Sequence, residues 1–453
     1  MSFHLGKPIL VMTIIAAVTG AVALRRHEPP RKTLTVWVFA EDHYTTYKPQ
    51  VEAYEKLARV SVDLQLVQAA ALSRRLQAVF ADQLTGEGVP DVVEVEVGQV
   101  GKFFRPPLDE IGFEPVEPML RAAGLYDRVV KERFSSWTKQ GVIFGVPHDV
   151  HPVGITYRED LFREAGIDLS AARTWPEFQQ MCRQFQEYWR QKGYPTRHAT
   201  ELPGAKSDVL TIMLLQRGIN LVDDRGGVHL ADPKVAQTIA FYARCVTGSD
   251  AIGSESGDGD GPLTRDLRFG NLCAFITADW RLGRFKQLGG EELRGKLRFM
   301  PLPRFDPTDA PTASWGGTMI AILRASPHKK EAWDLIEHLY FDRVGVEAQR
   351  QVTHILPPDK TMWDAPSYHQ PDPYFGGQHV DELLIDMARQ IPPHYVTPAS
   401  NIASVYLQQV LHRANGYVKD HGSDGLEAAC QQWLDVAAVD LKERMKQWEF
   451  SQP

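Results

Sequence analysis

Two kinds of hydrophobic pattern alternate along the first hundred residues, and this alternation constrains the fold more than any other feature. Strand-like runs cover residues 34–39, 60–67 and 91–95, and helix-like segments at 45–58 and 70–84 lie between them. The resulting β-α-β-α-β order is typical of α/β proteins. It predicts an open, mainly parallel sheet with helices on both faces, and in such sheets ligands bind beyond the carboxyl ends of the strands.

Strand-like runs recur further along the chain, separated and followed by helical patterns. The runs cover 142–146, 153–157, 272–277 and 318–323. The helical patterns cover 175–192, 208–218, 233–247, 329–341, 380–390, 399–414 and 426–448. Residues 253–261, rich in glycine and acidic residues, are typical of a flexible loop. At 453 residues the chain is too long for one ordinary core, which predicts two lobes or domains.

Charge and cysteine content narrow the classes of function. Lys and Arg number 50 against 57 Asp and Glu, a formal net charge of -7 that provides no electrostatic basis for binding nucleic acid. The four cysteines form no CxxC pair and have no metal-like spacing. Each lies in an apolar stretch, where a free thiol behaves as a small hydrophobic group. We therefore expect buried free thiols and no metal site, with disulfides as the alternative that an even number of cysteines permits in an oxidising compartment.

Residues 1–31 carry the targeting information. Residues 8–24 form an unbroken run of apolar or small residues, and 21–23 (AVA) fit the cleavage site of an export signal. Arg25 and Arg26 follow the run directly, and positive charge resists translocation. An uncleaved N-terminal membrane anchor is therefore the alternative. In both cases the globular part is expected outside the cytoplasm, in the periplasm or at the cell surface.

The common catalytic and cofactor motifs are absent from the sequence. There is no G-x-S-x-G, no H-E-x-x-H, no P-loop, and no G-x-G-x-x-G between a strand and a helix. The 253–261 loop lacks the residue order of a calcium-binding loop. We accordingly assign no catalytic residue, no metal and no cofactor, and we expect a protein that is not an enzyme.

Five segments, in order, resemble the extracellular solute-binding proteins of ABC importers, the large family that includes maltose- and other sugar-binding proteins. The most specific part is 141–178, which contains GVIFGVPHD, GITYREDLFREAG and TWPEF. Arg158 departs from this pattern, because the family usually has Asn there. The remaining two segments are NLCAFITADW at 271–280 and a closing run made of MPLP at 300–303, WGG at 315–317 and SPHKKEAWD at 326–334. The resemblance extends from about residue 32 to the last helix.

The resemblance implies a two-lobed α/β fold like that of periplasmic binding proteins, with several crossovers between the lobes. It groups residues 32–149 with 271–323 in lobe 1, and 150–270 with 324–453 in lobe 2. A sugar or oligosaccharide would bind between the lobes, and hinge closure would follow because contacts to both lobes exist only in the closed state. The implied partner is an ABC permease in the inner membrane, and the protein is expected to be a monomer.

Aromatic side chains in loops are the first candidates for sugar contacts. A sugar has apolar C–H faces and a rim of hydroxyls, so its site needs flat aromatic platforms with a few fixed polar groups. Trp280 follows a strand at the position where the resembling proteins place an aromatic residue against the ligand, although it could instead pack on the sheet edge. Trp315 is a second candidate, with core packing as its alternative. Gly316 and Gly317 would let the backbone approach the ligand closely.

Polar residues near strand ends and crossovers complete the predicted site. Each has a surface position as its alternative. Glu96 matches the acidic residue that follows the family's PDvv run, and Gln378 and the weakly matched Asn401 come from later segments of the resemblance. The candidates for contact with ligand hydroxyls are Glu41 with its neighbour Asp42, Glu96, Asp149, His151, Asp279, Gln378 and Asn401.

Two further functions remain open on the sequence. One is a periplasmic sensor or adaptor that keeps the binding fold but signals to a membrane receptor, which an uncleaved anchor would favour. The other is a carbohydrate-acting enzyme with Glu41 and Glu96 as acid and base, which requires the carboxyl spacing of glycosidases. Assays for turnover would test the enzyme, and neighbouring permease genes would separate transport from sensing.

Overall fold

A computed structural model describes residues 34–58, 60–82, 88–257 and 259–450, together with Met12. The strands are β1 Leu34–Val38, β2 Val62–Leu66, β3 Val92–Glu96, β4 Thr138–Lys139, β5 Val142–Ile143, β6 Val146–Pro147, β7 Val153–Arg158, β8 Thr200–Glu201, β9 Gly253–Ser254, β10 Ala274–Ala278, β11 Leu297–Pro301 and β12 Thr318–Ile322. The expected export signal or anchor at 1–31 lies outside the described residues, apart from Met12.

Helices separate most of these strands and form the C-terminal part of the chain. They are α1 Glu41–Ala58, α2 Ala69–Ala81, α3 Val97–Val100, α4 Glu117–Ala122, α5 Glu159–Glu164, α6 Trp175–Gln191, α7 Asp208–Gln216, α8 Pro233–Val246, α9 Asp260–Phe269, α10 Asp279–Gly289, α11 Lys329–Phe341, α12 Arg343–Thr353, α13 Val380–Ala388, α14 Ser400–His421 and α15 Leu426–Phe450. Within the described ranges, no helix is long and apolar enough to cross a membrane.

The first sheet has the strand order β2-β1-β3-β12-β6. Strand β1 pairs in parallel with both β2 and β3, as the β-α-β-α-β pattern predicts. Strand β12 then pairs antiparallel with β3 and with β6. Separate hydrophobic clusters cover the two faces of this sheet, one with side chains of α1 and α11 and the other with side chains of α2.

The second sheet has the strand order β11-β7-β10-β8-β9 and mixed direction. Strand β7 pairs antiparallel with both β10 and β11, whereas β8 pairs in parallel with β10 and β9. The largest hydrophobic cluster packs helices α6, α7, α8, α14 and α15 against this sheet. In another cluster, Phe275 on β10 and Phe299 on β11 pack with side chains of α10 and α13. The two sheets, each with its own core, form the two lobes that the resemblance implies.

The local sequence explains why helix α6 begins where it does. Thr174 accepts a hydrogen bond from the Glu177 N–H, and the Glu177 side chain accepts from the Thr174 N–H, which completes a capping box. The apolar side chains that follow recur at helical spacing and are buried: Trp175, Phe178, Cys182, Phe185 and Trp189. Capping and periodicity together explain why this helix has nearly the predicted bounds.

Strand pairing differs from the expected grouping of segments into lobes. Residues 271–323 were expected with the first lobe, but β10 and β11 pair within the second sheet and only β12 joins the first. Helix α11, expected in lobe 2, packs on the first sheet, where the Tyr54 hydroxyl donates to the Glu331 carbonyl oxygen. The hydrophobic pattern predicted β10, β12 and α11 but not β11, and it carries no information on the sheet that each element joins.

Three segments connect the two sheets and run side by side, and we call them crossovers: 148–152, 313–317 and 354–357. The first two are linked by the Trp315 N–H, which donates to the His151 carbonyl oxygen at 3.4 Å. The first and third are linked by the Val150 N–H, which donates to the Leu356 carbonyl oxygen at 3.1 Å. The expectation of several crossovers is therefore confirmed, and together they connect the two lobes.

All four cysteines are free and buried, as their apolar context predicts. Burial also raises the pKa of the Cys182 thiol well above its usual value. No group of His, Cys, Asp or Glu side chains that could hold a metal ion occurs among the residues described.

Candidate ligand-binding cleft

A cavity of about 750 Å³ lies between the parts of the chain that carry the two sheets. From the side of the first sheet, it is lined by Asp42 at the start of α1 and by residues 352–355 at the end of α12. From the side of the second sheet, β8, α7, α9 and α10 contribute side chains. The cavity therefore has walls from both lobes.

One face of helix α10 forms a wall of the cavity. Trp280, Gly283, Arg284 and Gln287 all line it, and their spacing of three or four residues places them on one side of a helix. The helix begins directly after β10, so its first turn lies at the carboxyl end of a strand. This is the position at which α/β sheets commonly bind ligands.

Two tryptophans form an aromatic corner of the cavity. The Trp280 and Trp315 ring centroids lie 5.5 Å apart with planes inclined by 63°. The Trp280 indole N–H donates to the Trp315 carbonyl oxygen at 3.3 Å, which fixes the orientation of its ring. Trp280 is 38% exposed, unusually high for so large an apolar side chain, and Trp315 is half-buried. The corner therefore presents indole surface to solvent inside the cleft.

An ion pair lies beside the aromatic corner. Arg281 Nη2 lies 2.9 Å from Glu201 Oε2, and Arg281 Nη1 donates to the Ile276 carbonyl oxygen at 2.7 Å. The guanidinium also lies 5.3 Å from the Trp315 ring centroid. Both charged side chains line the cavity, so a fixed donor and a fixed acceptor stand next to the indole surface.

Gly316 and Gly317 adopt backbone conformations that suit glycine. Gly316 has a φ of +82° and Gly317 a φ of +145°. A Cβ on Gly317 would lie 2.4 Å from Arg133 Nη2, so glycine here makes room for a buried guanidinium. The close approach at Gly317 thus serves the protein interior, whereas Gly316 borders the Trp280 indole nitrogen.

Asp149, His151 and Asp279 occupy a different environment from the one expected for ligand contacts. Asp149 and Asp279 are fully buried, and His151 is 6% exposed. Their polar atoms bond to one another and to Arg133 and backbone groups. Buried charges require such partners, because the desolvation of an unpaired charge is very unfavourable. These three residues therefore lie behind the cleft wall, at the crossovers.

Burial and charge act in opposite directions on the pKa values of this group. Burial by itself would lower the pKa of His151, but the adjacent Asp149 and Asp279 carboxylates raise it to about 9. The pKa of Asp149 is held well below its usual value, since contacts with His151, His148 and Arg133 outweigh the effect of burial. At neutral pH the site therefore contains an imidazolium between two carboxylates.

A second buried cluster, not anticipated from the sequence, extends from these crossovers into the first lobe. Glu94 on β3 accepts a hydrogen bond from the Tyr47 hydroxyl at 2.8 Å and lies 3.0 Å from His43 Nδ1. His43 in turn packs against His148, with ring centroids 4.2 Å apart. Burial favours the uncharged form of both His43 and Glu94. Their contact outweighs burial, so that the pKa of His43 is raised and the pKa of Glu94 is lowered.

The remaining predicted residues lie outside the lining of this cavity. Glu41 is exposed at the start of α1, where its neighbour Asp42 reaches the cavity instead. Glu96 is half-buried at the end of β3, and burial raises its pKa. Gln378 bonds through its side chain to the N–H and carbonyl oxygen of Phe299 on β11. Asn401 is exposed and donates to the Gly98 carbonyl oxygen.

Several cavity residues were missed by the sequence analysis. They include Glu201, Asp208, Arg281, Arg284 and His354. Glu201 ends β8, a strand of only two residues that leaves no hydrophobic pattern. Helix α10 was not predicted, although Leu282 and Phe285 lie three residues apart and are buried, with polar residues around them, which is the pattern of an amphipathic helix.

The chain is similar to known proteins over most of its length. A family model described as bacterial extracellular solute-binding protein matches residues 40–345. The arabinooligosaccharide-binding protein of Halalkalibacterium halodurans is 23% identical over 88% of this chain and 90% of its own length. The lactose-binding protein of Rhizobium radiobacter is 22% identical over 85% of this chain and 88% of its own.

The fold is also found among solved structures. The sugar-binding protein MalE from Xanthomonas citri superposes with a TM-score of 0.74 at 19% identity, and the match covers 93% of this chain and all of that one. At this identity the likeness concerns the fold, which is the two-lobed α/β architecture that the sequence implies.

Proposed function

Because this chain belongs to the family of bacterial extracellular solute-binding proteins, we propose that it captures a sugar or oligosaccharide for an ABC importer. The ligand would lie in the cavity between the lobes, against the aromatic corner of Trp280 and Trp315. Relatives named for binding arabinooligosaccharides and lactose favour a carbohydrate with more than one ring.

The aromatic corner with its ion pair is the observation that carries this proposal. Indole faces match the apolar C–H faces of sugar rings, and Arg281 and Glu201 can donate to and accept from ring hydroxyls. The cavity of about 750 Å³ also falls within the range of roughly 300–1,000 Å³ that small-molecule sites occupy. The combination is chemically suited to a short oligosaccharide.

In this proposal, closure of the lobes about the crossovers links ligand binding to docking on the permease. Asp42 and His354 would contact a ligand from the first-sheet side, while α10 would contact it from the second. A ligand that makes both sets of contacts favours the closed form by its differential affinity. The closed monomer would then dock on an inner-membrane permease, after export directed by residues 1–31, which either are cleaved or remain as a tether.

Binding without turnover is part of the proposal. The relatives are named as binding proteins. The two carboxylates considered as acid and base of an enzyme, Glu41 and Glu96, differ in their exposure to solvent. Glu41 is exposed on the first turn of α1, and neither it nor Glu96 lines the cavity between the lobes. Incubation with any oligosaccharide that binds should therefore leave the sugar intact, and released monosaccharide would contradict this part of the proposal.

Thermal-shift screening against arabino-, galacto- and malto-oligosaccharides tests the proposed ligand class. A ligand that binds only the native state raises the melting temperature by mass action, by an amount that grows with its concentration. We expect at least one oligosaccharide to do so, with calorimetric titration giving one site per chain. A library in which amino acids or polyamines raise the melting temperature and sugars do not would overturn the assignment.

A further inference from the structure

A buried histidine bridges two buried carboxylates where the crossovers run side by side. His151 Nε2 lies 3.2 Å from Asp149 Oδ2, and His151 Nδ1 lies 2.6 Å from Asp279 Oδ1. Asp149 and His151 belong to the first crossover, whereas Asp279 begins α10 directly after β10 of the second sheet. The contact therefore joins the first crossover to the second lobe.

Both carboxylates also hold backbone groups of other segments. Asp149 Oδ2 accepts from the Thr318 N–H at 2.9 Å, at the start of β12. Asp279 Oδ2 accepts from the Leu356 N–H of the third crossover, and its Oδ1 accepts from the N–H of Trp280, each at 2.8 Å. One chain of hydrogen bonds thus runs from the first sheet, through His151, to the residue that carries the aromatic platform.

Only the protonated ring satisfies both contacts of His151. An imidazolium donates from both nitrogens, whereas a neutral ring has one donor and would turn a lone pair toward one carboxylate. Arg133 Nη2, 2.8 Å from Asp149 Oδ1, supplies a second positive charge for the two negative ones. The charged or titratable groups around this site are Asp149, Asp279, Arg133, His148, His43, His354, Glu94, Glu96 and Tyr340.

The backbone of His151 indicates that this contact is imposed by its surroundings. Its φ is +55°, in the left-handed region that residues other than glycine seldom adopt. Within the described part of the chain, such values also occur at Gln140 and at His354, which lies in the third crossover. Strained backbone of this kind persists where surrounding contacts over-determine it.

We infer that His151, as an imidazolium held between Asp149 and Asp279, is a positioning residue of the cleft that fixes the start of α10 and the Trp280 ring relative to the crossovers. The role of Trp280 as a ligand platform rests on the proposed function. The positioning itself is a property of the free protein and can be measured without a sugar.

Fluorine NMR of the full chain labelled with 5-fluorotryptophan tests this inference. The chain has 10 tryptophans, and the Trp280 resonance is identified by its loss in Trp280→Phe. In the wild type this resonance should stay constant between about pH 6 and 8 and move as the pH rises through about 9, where His151 loses its proton. In His151→Asn, which tolerates the left-handed backbone but cannot carry charge, it should be displaced at pH 7 and lack this step.

His229→Asn is the matched control. His229 Nε2 lies 2.7 Å from Asp223 Oδ2 in an exposed pair remote in sequence from the crossovers, so its loss should leave both the position and the pH step of the Trp280 resonance unchanged. A wild-type resonance without a step, or a His151→Asn spectrum identical to that of the wild type, overturns the inference.

A second variant and a binding measurement separate the possible failures. Should His151→Asn not fold, Asp279→Asn and the wild-type titration provide the same test. For an oligosaccharide found in the thermal-shift screen, His151→Asn should weaken binding at least tenfold. Failure of every sugar to bind would refute the proposed function but not the positioning role, whereas an unmoved Trp280 resonance would refute the positioning role alone.

Discussion

Single side chains in this protein divide into those that face the cleft and those that support it. Trp280 is exposed in the cavity, while Asp279, its immediate neighbour in sequence, is fully buried and holds the backbone. These adjacent residues have different roles, because the first turn of α10 directs the Asp279 side chain toward the crossovers and the Trp280 side chain into the cavity.

Replacement of the exposed indole tests the first of these tasks. Trp280→Ala should weaken binding of a sugar ligand by about 1.5 kcal/mol, roughly tenfold in Kd, because it removes stacking surface without opening the core. Calorimetric titration measures this change. Phe269→Ala is the control, since Phe269 is 70% exposed and does not line the cavity. Equal affinities for wild type and Trp280→Ala would exclude the aromatic corner as the site.

Substitution of Gly317 tests the contribution of the buried Arg133–Asp149 contact to stability. Gly317→Ala should lower the free energy of unfolding by about 2 kcal/mol, because its Cβ would displace the Arg133 guanidinium from the buried Asp149 carboxylate. Urea denaturation measures the loss. In Gly377→Ala, where φ is +82° and no atom lies within 4 Å of the added Cβ, only backbone strain of about 1 kcal/mol is expected. An equal loss in both variants would show that Arg133 accommodates the methyl group.

At the scale of elements, local patterns predicted most helices and strands but not all of them. The helix at 329–341 has the predicted bounds, and α6 ends one residue earlier than predicted. Helix α12 and strand β11 were not predicted, and α9 begins where a flexible loop was expected. Strand β11, of 5 residues, depends on tertiary packing more than on its own periodicity, whereas α12 is amphipathic and its pattern was overlooked.

The capping box of α6 gives a prediction at this scale. Thr174→Ala removes the acceptor for the Glu177 N–H and should lower the free energy of unfolding by about 1 kcal/mol, without an effect on ligand affinity. Urea denaturation and calorimetric titration together check it. Thr196→Ala, at an exposed position outside any helix or strand, should change stability by less than about 0.5 kcal/mol. A loss of affinity in Thr174→Ala would link α6 to the cleft.

The whole molecule is two lobes with separate cores joined by three adjacent segments, an arrangement suited to hinge motion. The crossovers hold hydrogen bonds to one another, and the ion cluster around His151 lies among them. Rotation of the lobes can therefore be absorbed in a few backbone positions while each sheet stays intact.

Small-angle X-ray scattering tests the predicted closure. Saturation with an oligosaccharide from the screen should reduce the radius of gyration of the wild type, because the ligand stabilises the form in which both lobes contact it. At a sugar concentration equal to the wild-type Kd, Trp280→Ala should show a smaller reduction than the wild type, and a concentration about ten times higher should restore it. A radius that stays constant in saturating ligand would argue against closure.

The sequence by itself determined the alternation of strands and helices, the family and the aromatic candidates, since these depend on local periodicity and on short motifs. Tertiary structure decided which sheet β10 and β11 join, and that Asp149, His151 and Asp279 lie behind the cleft wall. His151 and Asp279 are 128 positions apart, and a carboxylate's environment depends on which distant charges fold against it. Strand pairing and charge neutralisation are long-range choices, so no local pattern records them.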